Sequence, residues 1–349
     1  MAPPATLLPV LLAAALGAGE ETAIGIRAVA PGVYAALQPE AGRFDDANSA
    51  IIVTGEGVVV VDTQTAPAGA RAVLARVRAL SDEPVETVVL THWHSDHVAG
   101  SSVYRDAFPG VRLLAHRHTR EDIVARAIPD HREELETLPG RLEAAEQQLV
   151  TGLRRDGGEL TDEQRQQLRE AIDRRRAHLE RVREVELVLP DAVFDERLTL
   201  YRGDTEIRLM HFPGHTRGDV VVFLPRERVL ISGDLLDDLP YTGHGSPAAL
   251  VETLRHLERL EFDHVIPGHG RVREGKAHLR RVAELFEALV EQSAAARAAG
   301  RSLEETRAQL DVSAFREYFV TDAAAERYWD FFIPEAIGRA WEEAAEPGR

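Results

Sequence analysis

The sequence predicts a layered α/β domain. Three observations carry this reading: β-branched runs that read as buried strands, amphipathic segments between them, and glycine-containing turns at their boundaries. The 349-residue length suffices for one large core with an appendage.

Taken in order, Leu7–Gly19 is an Ala- and Leu-rich stretch too short to span a bilayer, followed by small residues and Glu20-Glu21. It reads as a secretory signal peptide over 1–20, although its leading segment carries only the terminal amine as positive charge. The expected location is periplasmic or secreted, with the cytoplasm as the alternative. No other segment is long and apolar enough for a membrane helix, so stable membrane insertion is not expected. From Ile24 to Asp62 the pattern is strand-like: Val33–Leu37, Ser49–Val53 and Val58–Val61, the last two separated by the turn Gly55-Glu56-Gly57. Ala66–Leu80 has helical spacing, and Glu86–Thr91 reads as a buried strand.

Between about Arg120 and Glu186 the texture changes. Leu135, Leu138, Leu142, Ala145 and Leu149 recur at steps of three and four, as do Leu168, Ile172, Leu179 and Val182. With Asp156-Gly157-Gly158 between the series and Thr161 as an N-cap, this predicts two antiparallel amphipathic helices. Their charged face is read as solvated surface or as a surface for self-association. Strands return at Leu198–Tyr201, Ile207–His211, Val220–Leu224 and Val229–Ser232, then a helix over Ala248–Arg259 and a strand over Phe262–Ile266. Helices follow at about 276–299, Leu303–Leu310 and a last pair spanning Val312–Ala345, whose aromatic residues Phe315, Tyr318, Tyr328, Trp329, Phe331 and Phe332 are read as core cover and a wall of the substrate entrance.

Charge and composition narrow the chemistry. A formal charge of −17 argues against nucleic acid as a partner, since phosphate binding needs clustered Lys and Arg. The chain contains no cysteine, which excludes a thiolate nucleophile and Cys-ligated zinc, leaving His, Asp and Glu as strong ligands. Against this background His92-Trp93-His94-Ser95-Asp96-His97 stands out. Three imidazoles and a carboxylate so close together waste solvation unless a cation gathers them, and their place after a buried strand puts them on a loop at its end. Three more candidates each follow an apolar run beside glycine: His215 in Pro-Gly-His-Thr, Asp234 in Ser-Gly-Asp and His269 in Pro-Gly-His-Gly.

On these residues the chain resembles the metallo-β-lactamase-fold hydrolase superfamily. The hallmark His-x-His-x-Asp-His is matched at His92, His94, Asp96 and His97, the later motifs fall in order at 214–216, 233–234 and 268–270, and Val61-Asp62-Thr63 looks like that family's second-strand Asp. The resemblance covers about 24–271. It implies an αββα sandwich with metals at one edge between the sheets: a hydrolase domain over 21–275, with a helical-hairpin insert at about 120–186 and a helical C-terminal extension over 276–349. Carried over position by position, it assigns His92, His94 and His215 to one zinc ion, Asp96, His97 and His269 to a second, and Asp234 to both. Imidazole and carboxylate ligands suit zinc, and paired ions of this kind serve hydrolysis. The activity implied is that of a dinuclear zinc hydrolase acting on a small-molecule ester, thioester, lactone or amide, a metal-bound hydroxide attacking the carbonyl and Asp96 handling its proton.

The alternative is a metallo-β-lactamase. Antibiotic-hydrolysing members carry Cys or Ser where this chain has Asp234, and many place Lys three residues further on, where this chain has Asp237 beside Asp238. Two carboxylates there repel an anionic substrate unless Arg217 or the C-terminal arginines offset them. The ligand set resembles instead that of glyoxalase II-type thioesterases and lactonases. A nuclease is disfavoured by acidity and export; iron-based redox relatives usually replace one early ligand by Glu and add a flavin-binding domain, neither of which is present here. Asp62 is read as orienting a ligand, and Tyr241 and His244 as substrate contacts. His116, His118, His211 and His264 are read as packing, edge or cap residues, with a position beside the ligands an equal reading for His211. His131, His178, His256 and His278 are read as surface residues of helices, and Arg217 and Asp219 as a local pair.

Overall fold

A computed structural model describes residues 24–154 and 156–345; the stretch read as a signal peptide lies outside them. In chain order the elements begin with strands β1 (Gly25–Ala30), β2 (Val33–Leu37), β3 (Ser49–Thr54) and β4 (Gly57–Val61), helix α1 (Pro67–Leu80) and β5 (Val85–Val89). Two short helices follow, α2 (Ser95–Val98) and α3 (Ser101–Ala107), then β6 (Arg112–His116) and α4 (Arg117–Asp122). A π-helical turn at Ile123–Ala127 leads into the long helices α5 (Ile128–Thr151) and α6 (Asp162–Glu184). Next come β7 (Ala192–Phe194), β8 (Arg197–Arg202), β9 (Thr205–His211), β10 (Val220–Leu224), β11 (Val229–Gly233), α7 (Pro247–Leu257), β12 (His264–Pro267) and β13 (Arg273–Glu274). The chain finishes with α8 (Ala277–Ala298), α9 (Leu303–Gln309), α10 (Ser313–Phe319) and α11 (Ala323–Glu343).

The strands form two sheets. One runs β1 to β7 in sequential order, antiparallel as far as β4 and parallel from β4 onward. The other runs β8 to β13 in order, antiparallel except for the parallel pair β11 and β12. Strand periodicity explains why both faces are buried. In β4, Val59 and Val61 face the second sheet, while Val58 and Val60 pack under α1. In β10, Val220, Val222 and Leu224 face the first sheet, while Val221 and Phe223 pack with Leu250 and Leu254 of α7 and Leu279 and Phe286 of α8. The result is an αββα sandwich, the layered architecture the sequence implied.

Helices α5 and α6 form the expected hairpin. Leu138, Leu179 and Val182 make a small core of their own, His178 Nε2 lies 2.7 Å from Glu134 Oε1 across the pair, and a Thr161–Gln164 capping box starts α6. At the C-terminus, Tyr328, Trp329, Ile333, Ala336 and Ile337 of α11 join the core outside the second sheet. Tyr328 also bonds Asp45, and Arg43 pairs with Asp322, tying this helix to the segment before β3.

Candidate metal centre

Each candidate ligand stands in the connection that follows the C-terminal end of a strand. Beyond β5, His92 and His94 lie in the connection, while Asp96 and His97 lie on α2, a single helical turn rather than the loop expected. His215 comes from the β9–β10 loop, Asp234 follows β11 and His269 follows β12. Glycine makes two of these placements possible. Gly233 takes φ 52°, turning the chain so that Asp234 points inward. At Gly268 a Cβ would stand 1.9 Å from Asp234 Oδ1, so no side chain larger than hydrogen fits.

The seven side chains converge in two groups that share Asp234: His92, His94, His215 and Asp234, and Asp96, His97, Asp234 and His269. Within each group the facing atoms lie inside 4.8 Å of one another, close enough to hold a metal ion. In the first, His94 Nδ1 is 3.0 Å from His92 Nε2 and 2.9 Å from His215 Nε2, with Asp234 Oδ2 at 3.6 and 3.4 Å from those two Nε2 atoms. In the second, Asp96 Oδ2 lies 2.9 Å from His269 Nε2 and 3.3 Å from His97 Nε2, and Asp234 Oδ1 lies 3.1 Å from His97 Nε2.

Outer hydrogen bonds fix which imidazole nitrogens face inward without a proton. His215 Nδ1 meets the Tyr241 carbonyl at 2.6 Å, so it is the donor and Nε2 of the neutral ring is bare. Thr91 Oγ1 donates to Asp62 Oδ2 at 2.8 Å, so it accepts from His92 Nδ1 at 3.0 Å and leaves His92 Nε2 bare. His94 presents Nδ1 inward and places Nε2 2.8 Å from His244 Nδ1. The lone pairs of His92 Nε2 and His215 Nε2 thus face the same point as His94 Nδ1, an arrangement that suits a cation.

Charge tells the same story from the other side. Burial, reinforced by neighbouring imidazoles, holds His92 and His94 well below the ordinary histidine range. In the second group burial also opposes charge on His97 and His269, but the surrounding carboxylates outweigh it. His97 is raised well above its ordinary value and His269 to about 10. For Asp96 and Asp234 burial is likewise outweighed by the histidines, and both carboxyls stay ionised well below the usual range. One half repels protons and the other draws them in, so both are served by positive charge that is not a proton. Buried His97 Nε2 and Asp234 Oδ1 are also without an aligned hydrogen bond among the described residues. The donor set therefore fits divalent cations of the zinc type.

Asp62, at φ 63° just past β4, accepts from His97 Nδ1 at 2.8 Å and from the Thr91 amide at 2.8 Å. Tyr241 and His244 lie beside the first group, Tyr241 with its ring against Phe332 at 4.5 Å, and His244 against His94 with its pKa lowered to about 4, chiefly by burial. Three sequence expectations are corrected. Arg217 pairs with Asp122, not with Asp219, whose buried carboxylate instead accepts from the His215 and Thr216 amides. Asp237 and Asp238 do not line the entrance as free charges: Asp237 accepts from the His269 amide and Asp238 pairs with Arg273. His278 is buried, donating from Nε2 to the Asp237 carbonyl. Asp219 and Asp237 brace the loops that carry ligands, a role their proximity to Gly-His and Gly-Asp could have signalled. His116 stacks on His211 at 3.7 Å, apart from both groups.

Comparison with known proteins agrees with this geometry. The family model described as the metallo-beta-lactamase superfamily matches residues 42–269. The linear primary-alkylsulfatase of Pseudomonas sp. (strain ATCC 19151) is 24% identical over 244 residues, 66% of this chain and 43% of that protein. The human acyl-coenzyme A thioesterase MBLAC2 is 32% identical over 92 residues, 24% of this chain and 33% of that one. This chain therefore spans less than half the length of either curated relative. Among solved structures, the sec-alkylsulfatase Pisa1 from Pseudomonas sp. superposes with TM-score 0.64 at 18% identity, over 92% of this chain and 50% of that one. A metallo-beta-lactamase from Pontibacter korlensis gives TM-score 0.53 at 17% identity, over 76% of this chain and 99% of that one. Those two likenesses speak for the fold. With its sandwich, its ordered motifs and a family match across most of the described chain, this protein belongs to the metallo-beta-lactamase superfamily.

Proposed function

We propose that the protein is a dinuclear zinc hydrolase of a small-molecule carbonyl compound, an ester, thioester, lactone or amide. The observation that carries this reading is the pair of donor groups sharing Asp234, their imidazole and carboxylate atoms converging on two points. His92, His94 and His215 would hold one ion, Asp96, His97 and His269 the other, and Asp234 both. Bound there, such ions supply Lewis acidity toward the scissile group and toward water at neutral pH.

The chain's own residues supply the rest. Asp96 is among the more open members of the cluster, its side chain 20% exposed. Its Oδ2 faces His97 and His269, which leaves Oδ1 to take a proton from water and return it to the leaving group. Asp62, Thr91 and the Tyr241 carbonyl hold the rings in the tautomers described. Tyr241, backed by Phe331 and Phe332, offers an apolar wall beside the centre, and His244 a polar edge.

A second reading, hydrolysis of alkyl sulfate esters, is favoured by the alkylsulfatase match across 66% of the chain. Metal analysis and a panel of an acyl-CoA thioester, a lactone, an alkyl sulfate and nitrocefin separate these readings and the β-lactamase alternative. The expected result is paired zinc and turnover of the thioester or lactone, both lost in D234A. Zinc content and turnover unchanged in D234A would overturn the assignment.

A further inference from the structure

Between the body of the sandwich and the hairpin, the π-helical turn at Ile123–Ala127 presents Arg126 to solvent beside the metal centre. A π turn is a wide, locally unfavourable backbone that tends to persist where function uses it. The Arg126 guanidinium lies 5.4 Å from the ring centre of Trp93, and that ring packs 4.5 Å from His94 and 5.2 Å from His244. Arg126 is thus two ring contacts from a ligand of the first donor group.

Its charge is partly compensated, by Asp122 and, at longer range, by Asp130. Among the described residues its ion pair is a 3.8 Å contact with Asp122, whose carboxylate is already taken by both arms of Arg217 at 2.9 and 2.8 Å. The Arg126 side chain is 50% exposed, with Nε on the Asp122 side. Arg339 reaches the same loop from α11, donating to the Gly243 carbonyl at 2.8 Å. The first donor group is therefore flanked by two arginines, Arg126 and Arg339, and by the aromatic surface of Tyr241, Phe331 and Phe332. A half-exposed guanidinium stacked on an indole, and sharing Asp122 with Arg217, keeps donors for a planar or tetrahedral oxyanion.

We propose that Arg126 forms an anion subsite, so that the substrate carries a carboxylate, sulfate or phosphate group on the part remote from the scissile bond. This rests on the hydrolase reading, and it names the substrate class: an anionic ester or thioester gripped at both ends.

The test compares zinc-replete wild type, R126Q and R126K for binding of butyrate against the best of succinate, glutarate and adipate, followed by tryptophan fluorescence at low ionic strength. Every ligand offers one carboxylate to the metals, but only the diacids offer a second. The wild type is expected to favour the diacid about tenfold, R126Q to lose that preference and R126K to keep part of it. Equal affinities in the wild type, no detectable diacid binding, or a preference intact in R126Q overturns the proposal. Hydrolysis of p-nitrophenyl butyrate and p-nitrophenyl hemiglutarate is measured alongside. Absence of turnover for both in the wild type counts against the hydrolase reading, while the binding comparison still decides the subsite. With turnover, kcat/KM for the anionic ester is expected to fall about tenfold in R126Q and that for the neutral ester to hold.

Discussion

Single residues show how strictly the centre is prepared. Asp62 adopts a left-handed backbone conformation that a non-glycine residue takes only at a cost, and the return is a carboxylate that serves His97, Thr91 and, through Thr91, His92. We expect D62A to weaken zinc binding about 10- to 100-fold with the seven ligands intact, as read by competition with a chelator. His278 provides a test by pH. Burial, aided by Arg273, lowers its pKa to about 4, and its neutral ring donates to the Asp237 carbonyl while facing the Tyr318 hydroxyl at 3.1 Å. The unfolded chain then binds this proton more readily than the folded one, so stability is full above the unfolded value of about 6.5 and declines as pH falls toward 4. H278Q should flatten the pH dependence of unfolding by up to about 3 kcal/mol between those limits, measured by urea titration. Residues of this kind differed in how easily they could be read. The candidate ligands were legible because their donor types cluster in short motifs, whereas His278 looked like a surface residue of a helix. Its burial was nonetheless written in the spacing of His278, Val282, Phe286 and Leu289 along α8.

Among the elements, long and strongly periodic ones were legible and short ones were not. The hairpin emerged from its three- and four-residue steps and from Thr161, and α5 and α6 fall where those steps put them. Strand β13 has two residues and β7 three, too few to show an alternation, and α2 is one turn inside a motif that chemistry dominates. The π turn carries no sequence signal of its own, so Arg126 was invisible as a site residue until the backbone placed it. The hairpin's core of Leu138, Leu179 and Val182 is separate from the three larger clusters. We therefore expect L179A to cost the hairpin about 2–5 kcal/mol. Amide exchange should rise across 128–184 while protection in β4, β5 and β10 is unchanged; a uniform loss of protection would show that the hairpin is not a separate unit.

At the scale of the molecule, the β-branched runs told that strands were buried, but not which sheet each would join. That partition depends on pairing between distant segments, such as β11 with β12 across α7, which no local pattern encodes. The sharing of Asp234 likewise came from family resemblance until the coordinates brought the tips together. Because His92, His94, Asp96 and His97 follow a strand of one sheet while His215, Asp234 and His269 come from the other, bound metal should stabilise the whole sandwich. Zinc at a hundredfold excess over its dissociation constant is expected to add about 2.7 kcal/mol, and chelation should lower Tm accordingly in calorimetry. Helix α11 has a different consequence, for biogenesis. Its Tyr328, Trp329 and Ile337 seal the apolar surface of α7 and α8, and its bonds to Arg43 and Asp45 join it to the segment before β3. On the ribosome that surface stays open from the emergence of α7 and α8 until α11 has followed them, so the nascent protein has to be shielded from aggregation over that interval.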